Sequence, residues 1–211
     1  GQSEDCGPTS FNLPGRTRYG TVGPAIPGVE VRIADDGEIL VRGPNVFLGY
    51  FKNPEATADT LDEKGFLHSG DLGAFDADGF LKITGRKKEI IITAGGKNIA
   101  PKNIEAALKN LPLVSQAVVI GDRRKFLSAL ITLDPEAVAE FAKDKGLPAE
   151  GLHQNQLVIQ AVQEGIDGEV NPLFARVEHV RKFKLLHRDF SVDANDRGKA
   201  ELTPTLKIKR R

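Results

Sequence analysis

Methionine is missing from all 211 residues, the first position included, tryptophan is missing too, and cysteine occurs once, as Cys6. With no start residue and no leader ahead of GQSED, the sequence is expected to be a piece of a longer chain, to which the function belongs. At the other end LKIKRR stops on a run of charge with no Gly or Pro behind it, which leaves truncation open there as well. A lone cysteine excludes an internal disulfide, and no Cys/His spacing suggests zinc, so a reducing, cytoplasmic setting is expected. An excess of charge is also lacking: 29 Lys and Arg face 29 Asp and Glu. That removes any overall field for nucleic acid, and a basic function has to be local. No stretch approaches the roughly 18 apolar residues that a membrane-spanning helix needs.

What is present has the composition of an ordinary globular protein, 40% hydrophobic and 27% charged, long enough for one or two domains. Residues 1–25 are rich in Gly, Pro, Ser, Thr and Asn and read as a long loop, a kind of segment that usually has a job. VEVRIADDGEILVRG alternates around Asp-Asp-Gly, the pattern of a hairpin. A short helix is expected from about Asn53. A second hairpin is expected in GFLHSGDLGAFDADGFLKITG, with Phe66, Leu67, Phe75, Phe80, Leu81 and Ile83 supplying apolar contacts.

After Gly85 the organisation changes. Glu89 to Thr93 reads as a strand, PKNIEAALKNL as a helix with Pro near its first turn, VSQAVVIG and FLSALITL as strands, and DPEAVAEFAKDKG as a capped helix. Residues 154–170 read as a further helix, and HVRKFKLL as a strand. The polar stretch beyond about Ser191 reads as a mobile tail. The fold class expected is α+β, in two parts: a β-rich region at 1–86 and a small α+β domain at 87–211.

Five stretches in order, GQSE, GEILVRGPNVFLGYFKNPEAT, HSGDL, GRKKEIIITAGGKNIAPKNIE and LTPTLKIKR, resemble the motifs of the acyl-adenylate-forming superfamily. That superfamily takes in acyl-CoA ligases, luciferase and peptide-synthetase adenylation domains. The TPTLK wording is similar to the long-chain fatty acyl-CoA ligases, where other branches carry Gly-Lys. The resemblance implies that 1–86 is the end of a large AMP-binding domain and 87–211 a small mobile lid. It also implies that the rest of the large domain, with the Ser/Thr/Gly-rich loop that wraps ATP phosphates, lies upstream. Two half-reactions follow from it. ATP and a carboxylate give acyl-adenylate and pyrophosphate, then the thiol of coenzyme A displaces AMP.

The same resemblance assigns residues. Glu4 would hold Mg²⁺, a hard cation that prefers carboxylate oxygen, and Ser3 would bond a phosphate. Asp71 and Arg86 would hold the ribose, Lys207 would carry the adenylation step, Lys88 would be the hinge, and Gly95, Gly96 and Lys97 would line the coenzyme A channel. Read without the resemblance, Ser3 and Glu4 are ordinary surface, Asp71 bonds its own turn, His68 is structural, and Gly95–Gly96 is a turn needing positive φ. Lys207 then belongs to a basic tail in which Lys209 is its rival. The expected ligands are a fatty acid, ATP or AMP, Mg²⁺ and coenzyme A, with peripheral membrane contact in the parent protein. Three other readings stay open: an adenylating ligase for another carboxylic acid, a nucleotide- or coenzyme-A-binding module without catalysis of its own, and a plain interaction domain whose Lys/Arg tail docks an acidic partner.

Overall fold

The computed structural model describes residues 1–193, 200–205 and 207–209. Packing divides the chain into two compact units, Gly1–Lys88 and Glu89–Arg211.

The first unit is built on a four-stranded antiparallel sheet in the order β1-β2-β3-β4, formed by Glu30–Ile33, Glu38–Arg42, Leu67–Phe75 and Leu81–Arg86. The Asp-Asp-Gly and Asp-Ala-Asp-Gly stretches make the two hairpin turns. In the second, Asp76 accepts the backbone N–H groups of Asp78 at 3.0 Å and Phe80 at 2.9 Å, so its carboxylate closes the turn. Alternation then delivers Ile39, Val41, Leu67 and Leu81 to one core, against which Val22, Val29, Val31, Ile33, Val46, Phe47 and Leu61 pack. Phe66 and Phe80 are buried as expected, whereas Phe75 and Ile83 are exposed. Helix α1 (Pro54–Thr60) starts on Asn53, whose side chain accepts the Ala56 N–H, and proline occupies its first position, where no amide is needed.

Residues 1–25 hold no strand, but they are tied down. A 3₁₀ turn at Ser3–Asp5 opens the chain, isolated bridges join Ser10 to Ala25 and Gly23 to Leu81, and Asp5 is buried, accepting bonds from the Thr9 hydroxyl and the Gln2 N–H.

The second unit has a three-stranded sheet in the order β7-β8-β9 (Val114–Ile120, Leu127–Leu133, Val180–Leu185), antiparallel between the first pair and parallel between the second. A parallel partner requires a long return path. Residues 134–179 supply it, with α3 (Pro135–Asp144) and α4 (Gln156–Gly165) inside. The expected strand Glu89–Thr93 is shorter: a 3₁₀ turn takes Lys87–Glu89, and β5 is only Ile91–Ile92, paired with β6 at Asn98–Ile99 across the Gly-Gly turn. The expected helix over 154–170 stops at Gly165 and continues as a π turn, Ile166–Val170, which keeps Ile166 and Val170 inward. Helix α2 (Pro101–Lys109) places Ile104 and Leu108 in the core with Leu127, Ile131, Val158, Val162 and Ile166.

The polar stretch read as a mobile tail lies partly outside the described residues, as do Leu206, Arg210 and Arg211. The residues around those positions form a narrow loop: Thr203 N–H donates to Lys207 O at 2.8 Å, Lys209 N–H donates to Glu201 O at 2.8 Å, and Leu202 bridges Ile208. Leu202 is buried there.

Candidate functional site

On the first unit, β3 and β4 pair Asp71 directly opposite Arg86. Arg86 Nε donates to Asp71 Oδ1 at 2.7 Å, while most of the guanidinium remains exposed and the carboxylate is partly covered. The pair therefore presents unused donors and acceptors side by side, the requirement for gripping a diol. Asp71 also lines a small cleft of about 70 Å³ together with Gly1, Gln2, Asp5, Ser69 and Ile83. The fold thus brings the N-terminal segment and the Asp71 strand to one place, though they are separated by most of the unit. Ser3 is exposed at the start of the 3₁₀ turn. Glu4 is half-buried, and its Oε1 accepts the Tyr50 hydroxyl at 2.8 Å. That bond, with burial second, raises the Tyr50 pKa. One Glu4 oxygen is thus occupied, and the other is available to a cation. Among the described residues no group of three or more His, Cys, Asp and Glu could hold a metal. A single carboxylate still suits Mg²⁺ when phosphates and water complete its shell.

Sequence reasoning missed the group behind this pair. Glu38 is buried, and its Oε2 takes the Lys87 ammonium at 2.8 Å and lies 3.1 Å from His68 Nδ1, while its Oε1 accepts the Gly70 N–H at 2.9 Å. Lys87 also bridges to Asp36 Oδ2 at 2.6 Å. Burial alone would raise the Glu38 pKa, but Lys87, His68 and the Gly70 N–H outweigh it and leave the carboxyl below its ordinary value. A signal was available in the sequence, an acidic residue at the first position of a strand otherwise reading inward. Lys88 carries the hinge expectation and is exposed, the last residue of the first unit.

On the second unit, Gly95, Gly96 and Lys97 are all exposed at the β5–β6 turn. Gly96 has φ +74 and Gly95 does not, so only Gly96 is demanded by the backbone; a Cβ at Gly95 meets nothing closer than the Thr93 hydroxyl at 4.0 Å. This turn is clipped to the loop after β7: Ala94 N–H donates to Arg124 O at 2.9 Å, Arg123 N–H to Ile92 O at 2.7 Å, and Ile92 N–H to Asp122 Oδ1 at 3.1 Å. Gly121 permits the approach, since a Cβ there would stand 2.2 Å from Leu127 Cδ2. The same loop leads into a basic cleft of about 370 Å³ lined by Lys125, Phe126, Arg176, Val177, His179 and Arg181, with Lys182 over the Phe126 ring at 5.6 Å. Among the described residues, no acidic side chain lines it. Scattered in sequence, these residues gave no motif. Lys207 is exposed in the C-terminal loop, where its N–H donates to Thr203 Oγ1 at 3.0 Å and its O accepts the Thr203 N–H.

Residues 88–168 match the model of the AMP-binding enzyme C-terminal domain. The whole chain is 45% identical to the long-chain-fatty-acid–CoA ligase FadD15 of Mycobacterium bovis, of which it covers 35%. It is 40% identical, again along its full length, to the long-chain-fatty-acid–CoA ligase ACSBG1 of Mus musculus, covering 32%. The chain thus spans about a third of the length of the curated relatives it matches. Among solved structures, the O-succinylbenzoate coenzyme A synthetase of Bacillus subtilis in complex with ATP and magnesium superposes with a TM-score of 0.66 at 26% identity, over 95% of this chain and 39% of that one.

Proposed function

We propose, for a chain whose residues 88–168 match the AMP-binding enzyme C-terminal domain, that it is the C-terminal portion of an ATP-dependent long-chain fatty acid–CoA ligase. The observation that carries this reading is the Asp71–Arg86 pair over a cleft shared with residues 1–2, in a chain that aligns along its whole length with about a third of the long-chain ligases it matches. The two compact units are read as the end of a large AMP-binding domain and a small lid domain, with Lys88 as the hinge.

In the first half-reaction a carboxylate oxygen attacks the α-phosphorus of ATP, the bond to the β-phosphate oxygen breaks, and acyl-AMP and pyrophosphate result. Asp71 and Arg86 hold the ribose hydroxyls, and Ser3 bonds a phosphate oxygen. Mg²⁺, when bound, neutralises phosphate charge, and the free Glu4 oxygen is the group to hold it. The Lys207 ammonium meets the carboxylate and the α-phosphate as negative charge builds. In the second half-reaction the thiol of coenzyme A attacks the acyl carbon and AMP leaves. Gly95 and Gly96 supply side-chain-free backbone for the pantetheine arm, and Lys97 stands at its edge. The basic cleft of Lys125, Arg176 and Arg181, with Phe126 offering an apolar face, suits the phosphate-rich nucleotide end of that cofactor. A cytoplasmic setting, with the parent protein meeting membranes peripherally to collect its substrate, completes the reading. A ligase for another acid is the second reading, because the solved structure that superposes acts on O-succinylbenzoate.

Two measurements test the proposal. Titration of this chain with AMP, ATP and coenzyme A should give binding of AMP that is lost in Asp71→Asn, and binding of coenzyme A that is lost in Arg176→Ala. In the full-length protein Lys207→Ala should lower acyl-AMP formation by about 10²–10³-fold. Binding of none of the three ligands, together with unchanged acyl-AMP formation by Lys207→Ala, would remove the ligase reading.

A further inference from the structure

We infer that Glu38 is a positioning residue for the Asp71–Arg86 pair, holding both of its strands in place through one buried carboxylate. The inference rests on the nucleotide reading for what the pair grips, but not for its geometry. Gly70, whose N–H donates to Glu38 Oε1, is the residue before Asp71 on β3. Lys87, whose ammonium donates to Glu38 Oε2, is the residue after Arg86, at the end of β4. A single side chain on β2 therefore grips the neighbour of each member of the pair, reaching across from the strand on the far side of β3.

The ladder pairs Asp71 with Arg86 and Leu72 with Gly85, but it is irregular beside them. The β2–β3 register shifts between Glu38 and Leu40, and the β3–β4 register shifts between Leu72 and Gly73. Such irregularities disrupt a ladder locally, here next to the pair. The Glu38 carboxylate adds charge-assisted bonds from the β3 backbone and from the residue that follows β4, shielded from water because the side chain is only 5% exposed. Asp36 holds the same ammonium from the outside at 2.6 Å, and His68 Nδ1 lies 3.1 Å from the carboxylate on a third side. Arg86 itself makes none of these contacts. A change at Glu38 would reach it only through Lys87 and through the Gly70–Asp71 backbone, which is the signature of a residue acting through others.

The test follows the Arg86 Nε–H proton by NMR in this chain, since that proton reports the bond to Asp71 directly. Glu38→Gln keeps the shape and an acceptor for Gly70 but removes the charge. It should speed Arg86 Nε–H exchange about tenfold, while the amides of Val41 and Leu67 keep their protection. Lys87→Met should speed it less, and the double variant no more than Glu38→Gln alone. AMP affinity should fall about tenfold in Glu38→Gln. Should Glu38→Gln fail to fold, Lys87→Met carries the same readout. If wild-type chain binds no AMP yet Arg86 exchange responds to Glu38→Gln, the nucleotide reading falls and the positioning role stands. Faster exchange with unchanged AMP affinity removes the ribose from the pair and leaves the positioning role, whereas unchanged exchange in every variant with the fold intact overturns the inference.

Discussion

The Lys87–Glu38 contact gives a prediction at the level of two side chains. Lys87 has its pKa raised above 10.5 by Asp36 and then Glu38, whereas Glu38 lies below its ordinary 4.5. A carboxylate depressed in the folded state contributes stability above its unfolded pKa and loses it as pH falls through the lower folded value. A raised lysine contributes below 10.5 and loses that contribution as pH climbs through the higher folded value. Lys87→Met should therefore destabilise the first unit by about 1–2 kcal/mol near neutrality, the range for a charge-assisted bond reduced for a half-exposed lysine. The gap between variant and wild type should close as pH drops below the ordinary carboxylate range, and denaturant titrations at several pH values would show it. The glycine pair yields a second prediction, because its two members differ. Leu at Gly96 would strain a backbone with φ +74 by about 1–2 kcal/mol before any ligand is considered. A Cβ at Gly95 meets only the Thr93 hydroxyl, at 4.0 Å, and the backbone there is not in the left-handed region. In the full-length protein Gly95→Leu should slow thioester formation from acyl-AMP without lowering the melting temperature, and unchanged thioester formation at saturating acyl-AMP would free this turn from any channel role.

Among the elements, those with strong local signals were legible in the sequence. Both hairpins of the first unit stand where Asp-Asp-Gly and Asp-Ala-Asp-Gly put them, and α3 begins at its capping aspartate: Asp134 accepts the N–H groups of Glu136 at 3.1 Å and Ala137 at 2.9 Å. Asp134→Ala should cost about 1 kcal/mol, readable as a lower urea midpoint for the second unit. What was not legible depends on contacts distant in sequence. The β5–β6 hairpin is two residues long on each side, too short for alternation to show, and it exists because Ile91 and Ile99 enter the core. Likewise α4 gives way to a π turn at Ile166–Val170, which the spacing of its inward residues does not announce, since positions four apart share a face in an α-helix as well. The same division holds for the site. Asp71, Arg86 and Glu38 all stand in recognisable motifs, but the partners of Glu38 and the cleft of Lys125, Arg176 and Arg181 are assembled only by folding.

For the whole molecule, two compact units with separate cores predict two unfolding events. Ile131 is fully buried on the central strand of the second unit's sheet, so Ile131→Ala should cost about 2–5 kcal/mol and lower one calorimetric transition while leaving the other in place. A single transition moved as a whole would show that the units unfold together. The parallel strand β9 has a consequence for how this chain comes into being. As it emerges from a ribosome, β7 and β8 can zip within microseconds, yet the flank of β8 stays bare until the whole excursion through α3 and α4 has been synthesised. Nascent chains stalled before Val180 would therefore expose a sticky, half-built sheet, the moment in this protein's life when a chaperone has most to shield.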